Sequence, residues 1–323
     1  MKYKVLLDMR KRYFDLFAAI VLLTVASISY FGSSNYLLSN FQALAFQILL
    51  GLSGLTLCFL LARRWILLSA GLISMFILGF SLGDILIPEK NMVGKADVTV
   101  AHFNVLQSNG RRNAVMKKIG EVDADLISLQ EMDEQWLFAA DSSLSTKYPY
   151  QSKKLWGRNY GLAVFSKFPI HNETVTWWGG VPNIVGSILI NQQSVQFLSS
   201  HTSTPMSSKA HQNRNRHLAC IAEYIADQDG PVIAMGDYNC VPWSREINSF
   251  KKFSGLKDSR KRFAATYPSK YSLLRIPIDY LWHSKDFDCL RFHVMDIPGS
   301  DHRGIAASYR FSTKNKLAQG KTP

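Results

Sequence analysis

The stretch Val232-Ile-Ala-Met-Gly-Asp-Tyr-Asn239 runs from four apolar residues into two polar side chains. An unbroken apolar run of this kind predicts a strand that is covered on both faces, and the glycine after it marks its end. Asp237 and Asn239 are two residues apart, so in an extended turn their side chains share one face. The same Gly-Asp-x-Asn pattern is also good turn chemistry. The stretch therefore predicts a buried strand with two polar groups at its carboxyl end.

Outward from this strand, residues 97–312 contain short β-type runs separated by polar and helical stretches. The run 126–130 is nearly all apolar and predicts a second fully covered strand, whereas 195–200 alternates and predicts a half-covered one. Apolar residues at three- and four-residue spacing predict helices over 112–122 and 209–226. Further strands are predicted at 98–105, 161–166, 187–190, 277–282 and 305–309. Two β-sheets packed on each other and flanked by helices, a four-layer α/β sandwich, satisfy these patterns.

Polar acids, amides and histidines fall at the carboxyl ends of the predicted strands, where loops leave a scaffold and side chains can converge. The positions are Asn104, Glu131, His201, Asp237 with Asn239, Asp279, and the pair Asp301-His302. A single acid after a strand is usually a cap or a surface group. Six such positions in one domain are not explained in that way, and they predict one site.

The first 90 residues have a different character. Three apolar runs, at about 14–31, 41–62 and 65–83, contain no charge other than Asp15 at an edge. Each is near the ~20 residues that a helix needs to cross a bilayer. Buried helices of a soluble protein are the alternative, but three such runs in succession favour transmembrane helices. Basic residues precede the first run and Arg63-Arg64 lie between the second and third, so the positive-inside rule predicts a domain facing out of the cytoplasm after residue 83.

The net charge is +13, and residues 90–323 hold 30 Lys and Arg against 20 Asp and Glu. This excess of positive charge favours an anionic partner. Nucleic acid, a phospholipid headgroup and a lipid pyrophosphate fit it equally well. The four cysteines form no C-x-x-C pair, which argues against zinc or thioredoxin chemistry. Whether Cys220, Cys240 or Cys289 joins a disulfide stays open at this level.

Seven short segments carry a resemblance to a known family. They are His102-Phe-Asn104, Leu129-Gln-Glu131, Gly161-Leu-Ala-Val-Phe-Ser166, Ser200-His201, Gly236-Asp-Tyr-Asn239, Ile278-Asp-Tyr280 and Ser300-Asp-His302. In this order they resemble the motifs of the endonuclease/exonuclease/phosphatase superfamily, which includes deoxyribonuclease I, abasic-site endonucleases, neutral sphingomyelinases and inositol polyphosphate 5-phosphatases. The resemblance spans residues 98–309 and implies a metal-dependent phosphoesterase that uses Mg²⁺, with Mn²⁺ as a substitute.

The resemblance also implies roles. Glu131 would supply a carboxylate ligand to the metal, and Asn104 and Asp301 would complete or support that site. Asp237 would orient or deprotonate a water. The remaining implied roles are a phosphate donor at Asn239, cationic donors at His201 and His302, a carboxylate at Asp279 that orients His302, and a substrate contact at Asn159.

Residues outside the motifs are expected to be ordinary. Arg214 and Arg216 are predicted on a solvated helix face. The histidines at 102, 171, 211, 217, 283 and 293 match no motif position and are predicted to be surface or core residues.

The predicted organisation is a membrane anchor of three transmembrane helices at 1–84, a linker at 85–96, the catalytic domain at 97–312 and a basic polar tail at 313–323. The anchor, with the segments 237–244 and 276–279, resembles a bacterial membrane-bound subgroup of this superfamily, some of whose members are associated with undecaprenyl pyrophosphate hydrolysis. This implies a multi-pass protein of the bacterial inner membrane with an extracytoplasmic active site. The implied substrate is a phosphate ester or pyrophosphate, and one interpretation is that this substrate is linked to a lipid. The alternatives are an extracytoplasmic Mg²⁺-dependent nuclease, a sphingomyelinase-like phosphodiesterase, and a catalytically silent binding module. The number of metals and the oligomeric state stay open.

Overall fold

The computed structural model describes residues 2–32 and 35–312, and the chain divides into two compact units, Met1–Ile87 with Pro242–Arg245 and Pro88–Val241 with Glu246–Pro323. The predicted basic tail at 313–323 lies outside the described residues. Among its described residues the first unit holds four α-helices, α1 (Lys2–Phe31), α2 (Tyr36–Gln42), α3 (Ala45–Leu61) and α4 (Trp65–Leu82).

Two of these helices, α1 and α4, are long and apolar enough to cross a membrane. Helices α2 and α3 meet at 57° and form a third candidate span only if the bent pair is counted as one. The predicted run 41–62 is therefore not one straight helix. The one acid of the apolar segments, Asp15, is buried, and the guanidinium of Arg64 donates to it from Nε at 2.9 Å. Pairing with this guanidinium lowers the cost of burying the carboxylate.

Up to residue 312, the second unit contains twelve strands in two sheets. They are β1 (Val98–Asn104), β2 (Leu126–Gln130), β3 (Tyr150–Lys154), β4 (Leu162–Ser166), β5 (Ile170–Trp178), β6 (Val181–Ile190), β7 (Gln193–Ser200), β8 (Val232–Asp237), β9 (Lys257–Asp258), β10 (Asp279–His283), β11 (Phe287–Asp296) and β12 (Arg303–Phe311). The first sheet has the order β11-β12-β1-β2-β4-β3, and the second has the order β5-β6-β7-β8-β10-β9.

Both sheets have the same pairing pattern. A parallel pair lies at the centre of each, β1 with β2 and β7 with β8, and every other pairing is antiparallel. Each parallel pair is connected by a helix, α5 (Arg112–Glu121) in the first sheet and α7 (Ser208–Ala226) in the second. Because parallel strands end at the same edge, this pattern brings the residues after β1 and β2 together, and likewise those after β7 and β8.

Three apolar clusters hold the layers together. Between the sheets, side chains such as Val100 and Leu126 pack with Phe197 and Ile233. The outer face of the first sheet packs on α5 and on α6 (Glu134–Leu144), and the outer face of the second packs on α7 and on α8 (Arg245–Ser254). The fold is two mixed sheets flanked by helices, which confirms the predicted four-layer α/β sandwich.

Side chains alternate along the central strands, and this decides what lies between the sheets. In β1, Ala101 and Phe103 pack toward the helices, while Val98 and Val100 pack toward the other sheet. The next residues of that inner face are His102 and Asn104, as the period of two requires. The layer between the sheets is thus apolar over most of its extent and polar at the end where the parallel strands stop.

The eight predicted strands are all present, and β6 begins six residues before its predicted start. The prediction of a half-covered strand at 195–200 was wrong toward its end, because Ser199 and Ser200 are fully buried. Strands β3, β5, β9 and β11 and helices α6 and α8 were not predicted. None of the four cysteines, all of which lie in the described residues, forms a disulfide.

Candidate functional site

The predicted site residues come from both sheets and meet at the end where the parallel strands stop. Asn104 ends β1 and Glu131 follows β2 in the first sheet, whereas Asp237 ends β8 and Asp279 begins β10 in the second. Asp237 and Asp279 are direct partners in the antiparallel pairing of β8 with β10. His302 lies just before β12. All five residues are buried.

Asn104 and Glu131 form the first part of the site. The amide Nδ2 of Asn104 donates to Glu131 Oε1 at 2.9 Å, and the backbone N–H of Gln107 donates to Glu131 Oε2 at 3.2 Å. Glu131 has a φ of +63°, a backbone conformation that is costly for a residue with a side chain. The carboxylate is therefore held in one orientation by its backbone and by two donors.

The glycines of the motifs are required by close approaches beside this carboxylate. A Cβ at Gly161 would overlap the carbonyl oxygen of Met132, and the N–H of Met132 donates to the Gly161 oxygen at 3.1 Å. A Cβ at Gly236 would overlap the carbonyl oxygen of Ser200. Both positions lie one or two residues from a predicted site residue, so a side chain at either would displace the site itself.

The turn after β8 positions Asp237 and Asn239. Asp237 Oδ1 accepts the backbone N–H of Asn239 at 2.8 Å, and Asn239 has a φ of +46°. The Asn239 amide donates to the carbonyl of Thr202 at 2.9 Å. Arg214, which is only 1% exposed, donates from Nη1 to the carbonyl of Asn239 at 3.0 Å. The prediction of a solvated Arg214 was wrong: its guanidinium is buried under this turn and holds it in place.

A chain of hydrogen bonds lies behind His302. His302 Nδ1 donates to Asp279 Oδ2 at 2.9 Å, and the ring of His102 lies 3.1 Å from Asp279 Oδ1 through Nε2. Since an ionised carboxylate only accepts, His102 carries its proton on Nε2, and its Nδ1, 3.3 Å away, accepts from Ser128 Oγ. Asp279 is thus oriented by two imidazoles. His102 is a core histidine, as predicted, but its contact with Asp279 was not anticipated.

The charges of this chain are set by burial and by its neighbours. Burial disfavours an imidazolium, but the carboxylates of Asp279 and Asp237 outweigh it and raise the pKa of His302 to about 10. Burial likewise opposes ionisation of Asp279, but the charge of His302 and the hydrogen bonds from His102 and His302 hold the pKa of this carboxyl well below its usual range. His302 is therefore a cation and Asp279 an anion near neutral pH.

His201 differs from His302. Burial, followed by the charge of His302, lowers the pKa of His201 to about 3, so the ring is neutral near pH 7. Its Nε2 lies 3.7 Å from Asp237 Oδ2, and the ring of Tyr160 lies 5.3 Å away between centroids. The expected cationic form is not supported for His201. Asn159, predicted to touch substrate, is exposed beside Tyr160 and has a φ of +66°.

Asp237 is the carboxylate at the centre. Its Oδ2 lies 3.5 Å from Asn104 Nδ2, 3.6 Å from His302 Nε2 and 3.7 Å from His201 Nε2. Burial, followed by the charge of Asp279, raises the pKa of Asp237 well above its usual range. A raised pKa makes this carboxylate a stronger base than an exposed aspartate, which is the direction that a general base requires.

Two observations fit a divalent cation. Asp237, Asp279 and His302 offer ligand atoms within 4.8 Å of one another, so this buried group could bind a metal. Both oxygens of Asp279 already accept from imidazoles, which leaves little for a metal there. Asp301 has instead a buried Oδ1 without a hydrogen-bond partner among the described residues. Burial, with the nearby charge of Glu131 contributing, raises its pKa although the charge of His302 acts in the opposite direction.

The comparisons with solved structures show a shared fold. The chain is similar to an endonuclease/exonuclease/phosphatase from Beutenbergia cavernae, with a TM-score of 0.59 and 18% identity over 68% of this chain and 72% of that one. It is similar to a mannosyl-6-phosphatase from Bacteroides thetaiotaomicron, with a TM-score of 0.56 and 19% identity over 66% and 100% of the two chains. Sphingomyelinase C from Streptomyces griseocarneus has a TM-score of 0.51 and 16% identity, over 67% of this chain and 99% of its own.

The curated proteins contain no sequence that matches this chain. A family model does match, that of the Endonuclease/Exonuclease/phosphatase family, over residues 101–302. This range covers more than half of the chain and contains every predicted site residue. The chain therefore belongs to the endonuclease/exonuclease/phosphatase family, whose members are hydrolases that act on phosphate esters.

Proposed function

We propose that this protein is a membrane-anchored, Mg²⁺-dependent phosphoesterase that hydrolyses a lipid-linked phosphate ester or pyrophosphate at the outer face of the bacterial cytoplasmic membrane. The observation that carries the hydrolytic part is the cluster of Asp237 with His302, His201 and Asn104 around one carboxylate oxygen. The amino-terminal apolar helices support the membrane part. Mn²⁺ is the expected substitute metal.

Glu131, Asn104 and Asp301 are proposed to hold the cation. Their oxygens are the hard ligands that Mg²⁺ prefers, and Glu131 is already oriented by two donors. When bound there, the cation would neutralise charge on the phosphate. An amide binds a metal through its oxygen, and the Asn104 oxygen already accepts the N–H of Leu106 at 3.1 Å. The proposed role of Asn104 therefore includes orienting Glu131 through its Nδ2 as well as binding the metal.

Asp237 is proposed to take the proton from the attacking water. Its carboxylate is buried beside the cationic His302, which stabilises the ionised form that the step requires. Asn239 and the neutral His201 can donate hydrogen bonds to phosphoryl oxygens without adding charge. His302 is the cationic donor, and Asp279 fixes its tautomer and direction. Asn159 stands in an exposed position from which it can contact the substrate.

The first test is metal-dependent hydrolysis of bis-p-nitrophenyl phosphate by the full chain in detergent. We expect activity with Mg²⁺ or Mn²⁺ and none after chelation. Asp237→Asn should lower kcat by about 10² to 10⁴, the usual range for a general base. Glu131→Gln should raise the Mg²⁺ concentration needed for half activity. Glu134→Gln is the matched control, because it makes the same change on an exposed residue of α6.

The second test addresses the substrate. The same preparation is assayed on undecaprenyl pyrophosphate, phospholipids, sphingomyelin and plasmid DNA, with Asp237→Asn as the blank. Preference for the pyrophosphate by a factor of ten or more supports the proposal. Preference for DNA supports the nuclease alternative, which the excess of positive charge in residues 90–323 also suits. No hydrolysis of any of these compounds would revive the silent binding module.

Orientation is tested separately. A reporter that is active only outside the cytoplasm, fused after Pro323, should be active. Activity of a reporter that works only in the cytoplasm would place the site on the other side of the membrane.

A further inference from the structure

An exposed apolar loop lies beside the site in the second unit. Tyr267 and Ile276 form an isolated β-bridge, and the loop between them carries Tyr271, Leu273 and Leu274, which are 63%, 82% and 53% exposed. Single exposed apolar residues are ordinary on protein surfaces, but three within four positions form a patch. The loop has no role in the proposed hydrolysis.

Arginines surround the same loop. A pocket of about 300 Å³ is lined by Arg262, Arg275 and Arg303 together with Ser272 and several apolar residues, and the described residues that line it include no acid. Arg303 pairs through Nε with Asp296 at 2.7 Å, a partner that is 80% exposed and therefore weakly bound. The Nε of Arg275 donates to the carbonyl of Ser269 at 3.1 Å, which fixes the direction of its guanidinium. Three arginines line this one small pocket, and the guanidinium group is well suited to binding an anion such as phosphate.

The loop is linked to the catalytic centre by a backbone hydrogen bond and by a contact between two rings. The N–H of Ser269 donates to the carbonyl of Asp301 at 2.7 Å, and the ring of Tyr267 lies 4.8 Å from the ring of His302. Arg303 follows His302 directly in sequence. A surface that binds here would therefore be presented at the rim of the active site.

Chain connectivity indicates what kind of surface this is. Glu89 contacts Lys261, the neighbour of Arg262: its N–H donates to the Lys261 carbonyl at 2.6 Å, and Lys261 Nζ donates to Glu89 Oε2 at 2.8 Å. Leu82 ends α4, the last apolar helix. Seven peptide steps connect Leu82 with Glu89 and reach about 25 Å at most. The covalent link to the proposed membrane anchor thus enters the second unit beside this pocket.

We propose that the loop 269–275 and the pocket of Arg262, Arg275 and Arg303 bind the surface of an anionic phospholipid bilayer. A lipid phosphate would occupy the pocket, and Tyr271, Leu273 and Leu274 would enter the interfacial region, as apolar side chains next to basic ones do. The inference rests on the proposed function in one respect, that the apolar helices span a membrane. It adds the means by which the active site is held against the lipid.

The test is hydrogen exchange, measured by mass spectrometry on the full chain in nanodiscs. Discs with phosphatidylglycerol are compared with discs of phosphatidylcholine alone. We expect amide exchange in 269–275 to be about tenfold slower or more in the anionic discs, because insertion suppresses local opening. The slowing should be lost in Leu273→Ser/Leu274→Ser and weakened in Arg262→Gln. Phe253→Ser, which changes an equally exposed apolar residue on α8, should keep it.

Equal exchange in the two kinds of disc, or slowing that survives both loop and arginine variants, would overturn the proposal. Equal slowing by inorganic phosphate in detergent would make the pocket a site for a soluble anion and would also overturn it. Hydrolysis of bis-p-nitrophenyl phosphate is followed in the same samples. Activity without slowed exchange rejects only the membrane surface, whereas slowed exchange without activity rejects only the proposed function.

Discussion

Replacing His102 by Phe is the most informative single change in the site. The Nε2 of His102 lies 3.1 Å from Asp279 Oδ1, and both side chains are fully buried. Phe keeps a ring of similar size but removes the donor to a buried carboxylate. Losing a hydrogen bond to a charged group, with the acceptor left unsatisfied, costs about 3 kcal/mol. The free energy of unfolding should fall by about that amount.

The effect on catalysis follows from Asp279. This carboxylate orients His302, and without His102 it keeps one of its two imidazole donors. Loss of such an outer partner typically lowers activity 10- to 100-fold. Because the substrate does not touch His102, we expect the loss in kcat and little change in KM. His102→Gln, whose amide can still donate to Asp279, should recover most of the activity.

The assay is steady-state hydrolysis of bis-p-nitrophenyl phosphate in detergent, with urea unfolding followed by tryptophan fluorescence. Equal kcat for the Phe and Gln variants would refute the positioning role, because the two differ in the donor to Asp279. A rise in KM at unchanged kcat would also refute it. Loss of stability alone, with full kcat in the folded fraction, would leave His102 as a purely structural residue.

Three further predictions concern the frame of the site. Gly236→Ala should lower the urea midpoint strongly and abolish hydrolysis, because the added Cβ would overlap a backbone oxygen. The control Gly120→Ala changes a helical position with open space around it, and it should be neutral or stabilise the fold by up to about 1 kcal/mol. Burial lowers the pKa of His217 to about 3. Between pH 6.5 and 3 only the unfolded chain therefore binds this proton, and the free energy of unfolding decreases as the pH is lowered. Urea midpoints measured across this range should decrease less steeply in His217→Gln than in the wild type. Arg214→Met should lower kcat at least tenfold, because the turn at Asn239 loses the guanidinium that holds it. Arg214→Lys should be equally impaired, since one ammonium cannot reproduce the guanidinium contacts. Wild-type activity in Arg214→Met would contradict this role.

The fold could be predicted because its central strands are apolar on both faces. Strands β2 and β8 have no exposed residue, and their composition alone identifies them. Strands β5 and β11 carry polar and charged residues on exposed positions, and they lie at the ends of their sheets. An edge strand needs less apolar surface, so its pattern resembles that of a loop. The bend between α2 and α3 follows Gln42 without a proline or glycine to mark it.

The site could be predicted where a polar residue follows an apolar strand, as at Glu131 and Asp237. It could not be predicted where the partner is distant in sequence. His102 contacts Asp279 across 177 residues, although its position two residues before Asn104, on the same face of β1, was a usable signal. Arg214 lies in an amphipathic helix, where an arginine is assigned to solvent by default. Its burial depends on the carbonyl of Asn239, which only the tertiary structure supplies.

Gln130 lies between the two sheets and contacts the second one with both ends of its amide. Its Oε1 accepts the N–H of Asp237 at 3.0 Å, and its Nε2 donates to the carbonyl of Ser200 at 2.8 Å. The site is divided between the sheets, so this amide acts as a spacer that sets the gap between the two halves of the catalytic apparatus. The outer loops can change length and composition, and with them the preferred substrate, without altering that gap. The same reaction centre can therefore be combined with different rims, which agrees with the general observation that one fold hosts many functions.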